Sequence, residues 1–303
     1  MKIQTIVVPT DFRQNFRRVL PYIAQLANVR RAKIHLLHVV EASWAPGKES
    51  VLMKRPIRDA LVESANDRIR RLISKDQARR HGLDVTRHVT VGVPAGAILD
   101  YARAKRAALI VMGTHGASQV ARVFALGGVT GKVLAASTKP VLVLPHIILR
   151  RAAIRRVLCP TDFSPTANKA FRAAVAMARS LGAELHVLHV QDTYTYGYPE
   201  DEEAAWVLKR IKGMMRKRAK KHFDGVLKRA SRLDICCRVT EDPFTSRGIA
   251  RYAKRARIDL VVMGTRGESN LPKKILGSNT ERLAWLSPCP LLAIPAGRGK
   301  SGR

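Results

Sequence analysis

The sequence predicts an α/β protein made of two tandem, doubly wound parallel five-stranded sheets with helices on both faces. Three observations carry this. Short Val/Leu/Ile runs alternate with amphipathic stretches along the whole chain, as in parallel sheets buried on both sides. The second half repeats the first. Val8-Pro9-Thr10-Asp11-Phe12 returns 151 positions later as Cys159-Pro160-Thr161-Asp162-Phe163, and Val111-Met112-Gly113-Thr114-His115-Gly116 returns at the same offset as Val262-Met263-Gly264-Thr265-Arg266-Gly267. Finally, 303 residues suit two domains, each able to bury its own core.

The elements follow in order. In the first repeat, strands are expected at residues 5–8, 33–40, 83–91, 107–112 and 141–144. The first helix is expected at 13–28, with Phe16, Val19, Leu20 and Ile23 on one face. A long helix within 56–81 turns Leu61, Ile69, Leu72 and Ile73 inward. Helices at 97–105 and 128–137 complete the unit. The repeat offset falls to 150 at Gly127 and Gly277, so the first half carries one extra residue between Gly116 and Gly127. In the second repeat, Ser164-Pro165 reads as an N-cap with proline at the first helical position, and Gly182 as the glycine that ends that helix. A further long helix begins after the acids at 200–203. Its buried stripe is read as Val207, Ile211, Met214, Met215, Phe223, Val226 and Leu227. Domain limits follow at 1–147 and 153–296, with 297–303 a basic tail.

The formal charge of +32 is far more than solubility requires, and such a field attracts polyanions. Lys209, Arg210, Lys212, Arg216, Lys217, Arg218, Lys220 and Lys221 crowd one predicted helix. Aromatic residues for stacking are scarce there, so any nucleic acid would be held without sequence preference and with strong salt dependence. No apolar run approaches the ~18 residues of a membrane span, and residues 1–12 lead directly into a strand, which points to the cytoplasm. The four cysteines show neither CxxC nor zinc spacing. Cys159 and Cys289 read as buried inert thiols, and Cys236-Cys237 as a strand with one thiol on each face. No structural metal is expected.

The most informative stretch is 261–281. The apolar run Leu260-Val261-Val262-Met263 stops at Gly264, Gly267 follows, and Gly277-Ser278 comes after nine intervening residues. Ser278-Asn279-Thr280-Glu281 reads as a capping box opening a helix. A strand, a glycine loop and a helix N-terminus together form a phosphate cradle, yet the spacing is neither GxxxxGK[ST] nor GxGxxG.

This Gly-x2-Gly-x9-Gly-Ser pattern after Val-Met resembles the ATP-binding universal stress proteins, and the resemblance covers about residues 1–296. It implies strand order 3-2-1-4-5 in each repeat and an ATP site, with or without magnesium, beyond the carboxyl ends of the strands. Pro160, Thr161, Asp162, Val190, Met263, Gly264, Arg266, Gly267, Gly277, Ser278 and Asn279 are its candidate residues. Val190 matches the position that meets adenine through its backbone, Asp162 lies on the ribose side, and the glycine run with Ser278 and Asn279 faces the phosphates. The first repeat keeps Asp11, Val39, Gly113, Gly116 and Gly127. Its loop is one residue longer, Gly128 replaces the serine and Gly131 the capping glutamate, so weaker binding is expected there. The resemblance also implies pairing of the last strands, here as an internal pseudo-dimer, with a homodimer as an alternative.

A catalytic set is missing from this reading. His35, His38, His186 and His189 fall on strands, and His115 in the altered loop; paired carboxylates or a Ser-His-Asp set do not emerge. The expected function is a nucleotide-binding regulatory or protective module with, at most, slow incidental ATP hydrolysis. The alternative is a basic stress factor bound to nucleic acid or ribosomes on the same fold.

Overall fold

The computed structural model describes residues 3–12, 16–30, 32–41, 55–114, 128–145, 153–192, 233–266 and 276–296, together with Arg210, Gly213, Met214, Lys217, Lys221, Asp224 and Gly225. The chain forms two compact units, Lys2–Ala153 and Ile154–Arg303.

In the first unit the order is β1 (Thr5–Pro9), α1 (Phe16–Arg30), β2 (Lys33–Glu41), α2 (Arg55–Leu72), α3 (Lys75–Arg80), β3 (Asp84–Gly92), α4 (Pro94–Ala104), β4 (Leu109–Gly113), α5 (Gly128–Ala136) and β5 (Val141–Leu144). The strands lie β3-β2-β1-β4-β5, and their recorded pairings are parallel. The second unit contains β6 (Arg156–Pro160), α6 (Pro165–Leu181), β7 (Glu184–Asp192), β8 (Ile235–Asp242), α7 (Thr245–Arg255), β9 (Leu260–Gly264), α8 (Ser278–Leu286) and β10 (Leu291–Ile294). Its order, β8-β7-β6-β9-β10, is again the predicted 3-2-1-4-5.

The central strands are apolar on both faces because helices cover both. Leu36, Leu37 and Ile110 in one unit, and Val157, Leu158, Val261 and Val262 in the other, are fully buried. Each such side chain contributes about 1.5–3 kcal/mol on leaving water. Among the described residues, no helix is long and apolar enough to cross a membrane.

The α6 boundaries form as expected. Ser164 accepts from the Ala167 N–H, Pro165 is the first helical residue, and Gly182 closes the helix at φ 61°. Three helix readings need correction. The long helix at 56–81 is two helices, because Ser74 starts a second one: its hydroxyl accepts from Gln77 N at 3.0 Å, and the Gln77 side chain accepts from Ser74 N at 3.0 Å. Leu61 does not turn inward and is 37% exposed, although Ile69 and Ile73 are buried. Met214, assigned to a buried stripe, is 57% exposed; the other six residues of that stripe lie outside the described residues. So do Phe16 and Val19 as side chains, and the tail at 297–303, whereas Leu20 and Ile23 are buried as read.

Candidate functional site

The first floor of the second-repeat site is the end of β6. Pro160 is its last residue, and the Thr161 N–H donates to Leu188 O at 2.8 Å. The chain then turns sharply. Phe163 N donates to Thr161 Oγ1 and Ser164 N to Asp162 Oδ1, both at 3.0 Å. Phe163 takes φ 68°, a left-handed conformation that costs a bulky residue about 1–2 kcal/mol. Its ring lies 4.6 Å from that of His189, whose Nδ1 is 2.9 Å from Thr161 O. Asp162 therefore stands two residues beyond β6, half-buried, just before the N-terminus of α6. Val190, on β7, lies past the last residue paired with β6. Its side chain is buried, and Gly248 of α7 packs so closely that an added Cβ would meet Val190 Cγ1 at 2.8 Å.

The second floor is the end of β9, hydrogen-bonded beside β6. Met263 and Gly264 are its last residues and both are buried. A side chain on Gly264 would force a shift, because a Cβ would sit 2.5 Å from Thr166 Cγ2. Thr265 N donates to Ile294 O at 2.9 Å, and Thr265 O accepts from Gly277 N at 2.9 Å. That second bond brings the start of α8 back to the strand end. A Cβ on Gly277 would approach Thr265 O to 3.1 Å. Arg266 is partly exposed on the same run.

The predicted capping box does not form. Gly277 is the N-cap, Ser278 is already the first helical residue, and no side chain caps the helix. The tight Gly277–Thr265 approach takes the cap position. Ser278 and Asn279 are exposed in the first turn, where backbone N–H groups are unpaired within the helix. Thr280 faces the other way: its buried hydroxyl donates to Gly264 O at 2.9 Å. The capping difference expected between the repeats falls away with this result.

The first repeat rebuilds the same frame. Thr10 N donates to Leu37 O at 2.8 Å, Phe12 N to Thr10 Oγ1 at 3.1 Å, and Phe12 has φ 66°. His38 Nδ1 is 2.8 Å from Thr10 O, and Thr130 Oγ1 donates to Gly113 O at 2.7 Å. Burial holds the His38 imidazole below its usual value of 6.5. Asp11 and Val39 hold the places of Asp162 and Val190. One local difference is Arg68, whose guanidinium lies 4.2 Å from the centroid of the Phe12 ring. Gly113 ends β4, and Gly128 is exposed at the start of α5. Gly116, Gly127 and Gly267 lie outside the described residues.

Sequence reasoning missed the hydroxyl roles of Thr130 and Thr280 and two pairs, His38–Thr10, which is half-buried, and His189–Thr161, which is buried. The signal was present, since each recurs at an offset of 150 or 151. The strand histidines are packed as expected: His35 Nδ1 is 3.1 Å from Tyr101 Oη, and His186 Nδ1 is 2.8 Å from Tyr252 Oη. Burial pushes the Cys159 and Cys289 thiols up to about 12 and Cys237 to about 11, which keeps them from acting as thiolates at neutral pH. Among the described residues, no group of three His, Cys, Asp or Glu could hold a metal ion.

The arrangement has relatives. One half of the chain is 27% identical over 142 residues to a universal stress protein of Methanocaldococcus jannaschii, covering 46% of this chain and 81% of that protein. The crystal structure of a universal stress protein from Archaeoglobus fulgidus matches across 98% of this chain and 100% of its own, at 22% identity and a TM-score of 0.72. Another structure from that organism, a universal stress protein in complex with dAMP, is 24% identical over 47% of this chain and 98% of its own, with a TM-score of 0.34. The sequence model of the universal stress protein family matches twice, at residues 2–145 and 153–295, and the chain belongs to that family as a tandem of two such domains.

Proposed function

We propose that the chain is a nucleotide-binding regulatory or protective module whose principal ATP site lies in the second repeat. The carrying observation is the convergence of two neighbouring strand ends, β6 at Pro160 with Asp162 just beyond it and β9 at Gly264, with the α8 N-terminus returned to β9 by Gly277 N–Thr265 O. In this reading the exposed first turn of α8 and Arg266 meet the phosphates, Asp162 accepts from ribose hydroxyls, and the Val190 backbone meets adenine. Gly264 and Gly277 let these segments pack closely: a Cβ would meet Thr166 Cγ2 at 2.5 Å at the first and Thr265 O at 3.1 Å at the second. Magnesium, if bound with ATP, would offset phosphate charge. The module is a binder in this proposal, and hydrolysis of ATP with Mg²⁺ should not exceed a slow background. We place it in the cytoplasm, consistent with four free thiols. Pairing of residues 141–144 with 291–294 as an internal pseudo-dimer belongs to the same proposal.

Calorimetric titration with ATP tests the site. Ser278→Asp is the informative variant, since an acid in the first turn favours the helix yet repels phosphate. One strong site per wild-type chain is expected, weakened at least about tenfold by the substitution, roughly 1.4 kcal/mol. Unchanged affinity in Ser278→Asp would remove the phosphates from α8. Two equal sites would show that the longer first-repeat loop is tolerated.

The charge of +32 favours a second reading, nucleic-acid association. Of the basic-helix residues, Arg210, Lys217 and Lys221 are described, and all three are exposed.

A further inference from the structure

The nucleotide reading uses one end of the second-repeat sheet. At the other end, where strands begin and helices finish, lies a cavity of about 520 Å³. Arg155, Arg156 and Arg179 line it together with Gly182, Glu184 and Asp234. Arg155 and Arg179 are exposed. Arg156 is held in place: its Nε donates to Glu184 Oε2 at 3.3 Å, and a terminal nitrogen donates to Ala256 O at 3.3 Å. Ala256 is the C-cap of α7, so this edge also carries the exposed side chains of Lys254, Arg255 and Arg257. Asp259 is nearby, but its Oδ2 accepts from the backbone N–H groups of Arg155 and Arg156 at 2.9 and 3.0 Å.

The first repeat serves as an internal control. Arg155, Arg156, Arg179 and Arg255 stand where it has Gln4, Thr5, Asn28 and Ala104. There Lys33 pairs with Asp84 at 3.6 Å; in the second repeat the same register sets Glu184 beside Asp234. Arg156 answers Glu184, but Arg155 and Arg179 are not needed to form strands and turns that the first repeat forms without them. Guanidinium groups match phosphate oxygens in geometry as well as charge. A cavity of this volume has room for a sugar–phosphate unit. Among the described residues that line it, none is aromatic, and their guanidinium groups address backbone phosphates and not base edges.

We propose that this cavity holds phosphates of a nucleic-acid backbone, with Arg155 and Arg179 as the contacting residues and Arg156 as a positioned third. This gives the nucleic-acid reading a place and is independent of ATP binding at the opposite end. Ionic contacts of this kind weaken linearly in log affinity against log salt, by roughly 0.7 per phosphate for single strands.

The test is fluorescence anisotropy of a labelled single-stranded oligonucleotide over a salt series, with the full chain. The variant Arg155→Gln/Arg179→Asn installs the first-repeat residues, which the same fold accommodates. About tenfold weaker binding is expected at moderate salt, with the salt slope shallower by roughly 1.4 for two lost contacts. Arg79→Gln/Arg80→Gln removes equal charge from α3 and should leave the slope unchanged. Equal losses in both variants would mean a general field and overturn the site, as would no loss in the first. Displacement of the oligonucleotide by ATP at constant ionic strength would put it in the nucleotide site instead. No binding by the wild-type chain would end both the site and the nucleic-acid reading, while the ATP titration would stand.

Discussion

At the floor of the candidate site the two repeats agree closely; at the outer edge they do not. Thr10 and Thr161 each donate a backbone N–H at 2.8 Å to the neighbouring strand, and Thr130 and Thr280 bond to the terminal strand glycines at 2.7 and 2.9 Å. Farther out, both repeats anchor a helix tyrosine on a strand histidine, Tyr101 on His35 and Tyr252 on His186. Around that shared anchor they diverge. In the second repeat the buried Asp242 carboxylate accepts from Phe244 N and Arg247 Nε, each at 3.0 Å, and from Arg251. The first has Gly96 and Asp100 where the second has Arg247 and Arg251, and a groove of about 530 Å³ lies along those residues and Tyr101. Bonds that terminate central strands are shared because both sheets need them. The outer helix and edge strand tolerate either an ion cluster or a groove.

The comparison breaks most severely at the strand-end glycine. Gly264→Ala places a Cβ 2.5 Å from Thr166 Cγ2, and overpacking of this kind costs about 1–3 kcal/mol. The expected value is at the upper end, measured by urea unfolding followed through Trp285 on α8. Adding Thr166→Ser removes the clashing methyl and should recover much of the loss. A tolerated single substitution would show that α6 can move away from β9.

Next in size is Asp242→Ala. It removes the acceptor shared by Phe244, Arg247 and Arg251, whose guanidinium groups are half exposed and regain water. The loss should be about 1–2 kcal/mol, confined to exchange protection in β8 and α7. A loss spread over the whole second unit would make the ion cluster part of its core instead of an edge feature.

Much of this was legible in the sequence. The repeat offset fixed two copies, apolar runs located the central strands, and Ser164-Pro165 with Gly182 marked α6 at both ends. What failed was local competition. Ser278 looked like a cap because Glu281 follows at the right spacing, yet Gly277 holds that place through a backbone bond to Thr265, a residue distant in sequence. Ser74 and Gln77 carry the same box pattern and do form it, on an exposed helix start. Leu61 fitted the inward stripe by period, but helical period alone does not say where the covered stripe ends. The Asp242 cluster could not be read at all, since its charges resemble any solvated run until the strand end buries the carboxylate.

A smaller effect sharpens the agreement at the floor. Thr130→Val and Thr280→Val each remove one buried hydroxyl that donates to a glycine carbonyl. Each should cost about 1 kcal/mol, and the two costs should match within about 0.5 kcal/mol, read by hydrogen exchange of β4 and β9. A markedly larger loss in the second repeat would mean that Thr280 supports the nucleotide loop as well as the strand end.

The smallest effect concerns pH and the first repeat. Burial is the leading cause holding His35, His38 and His88 below 6.5, with Lys105 adding to the shift at His35 and His88, and Arg68 at His38. An unfolded chain therefore binds protons at these sites before the native one does. Their neutral forms favour the fold above pH 6.5, and that contribution is lost as pH falls through the lowered native values. Exchange protection in β1, β2 and β3, corrected for intrinsic rates, should thus decline between about pH 7.5 and 5.5. His38→Asn retains a donor for Thr10 O but cannot take up the proton, so it should flatten part of the decline. Protection that stays level in the wild-type chain would show that these imidazoles are solvated in both states and contribute no pH dependence to the first sheet.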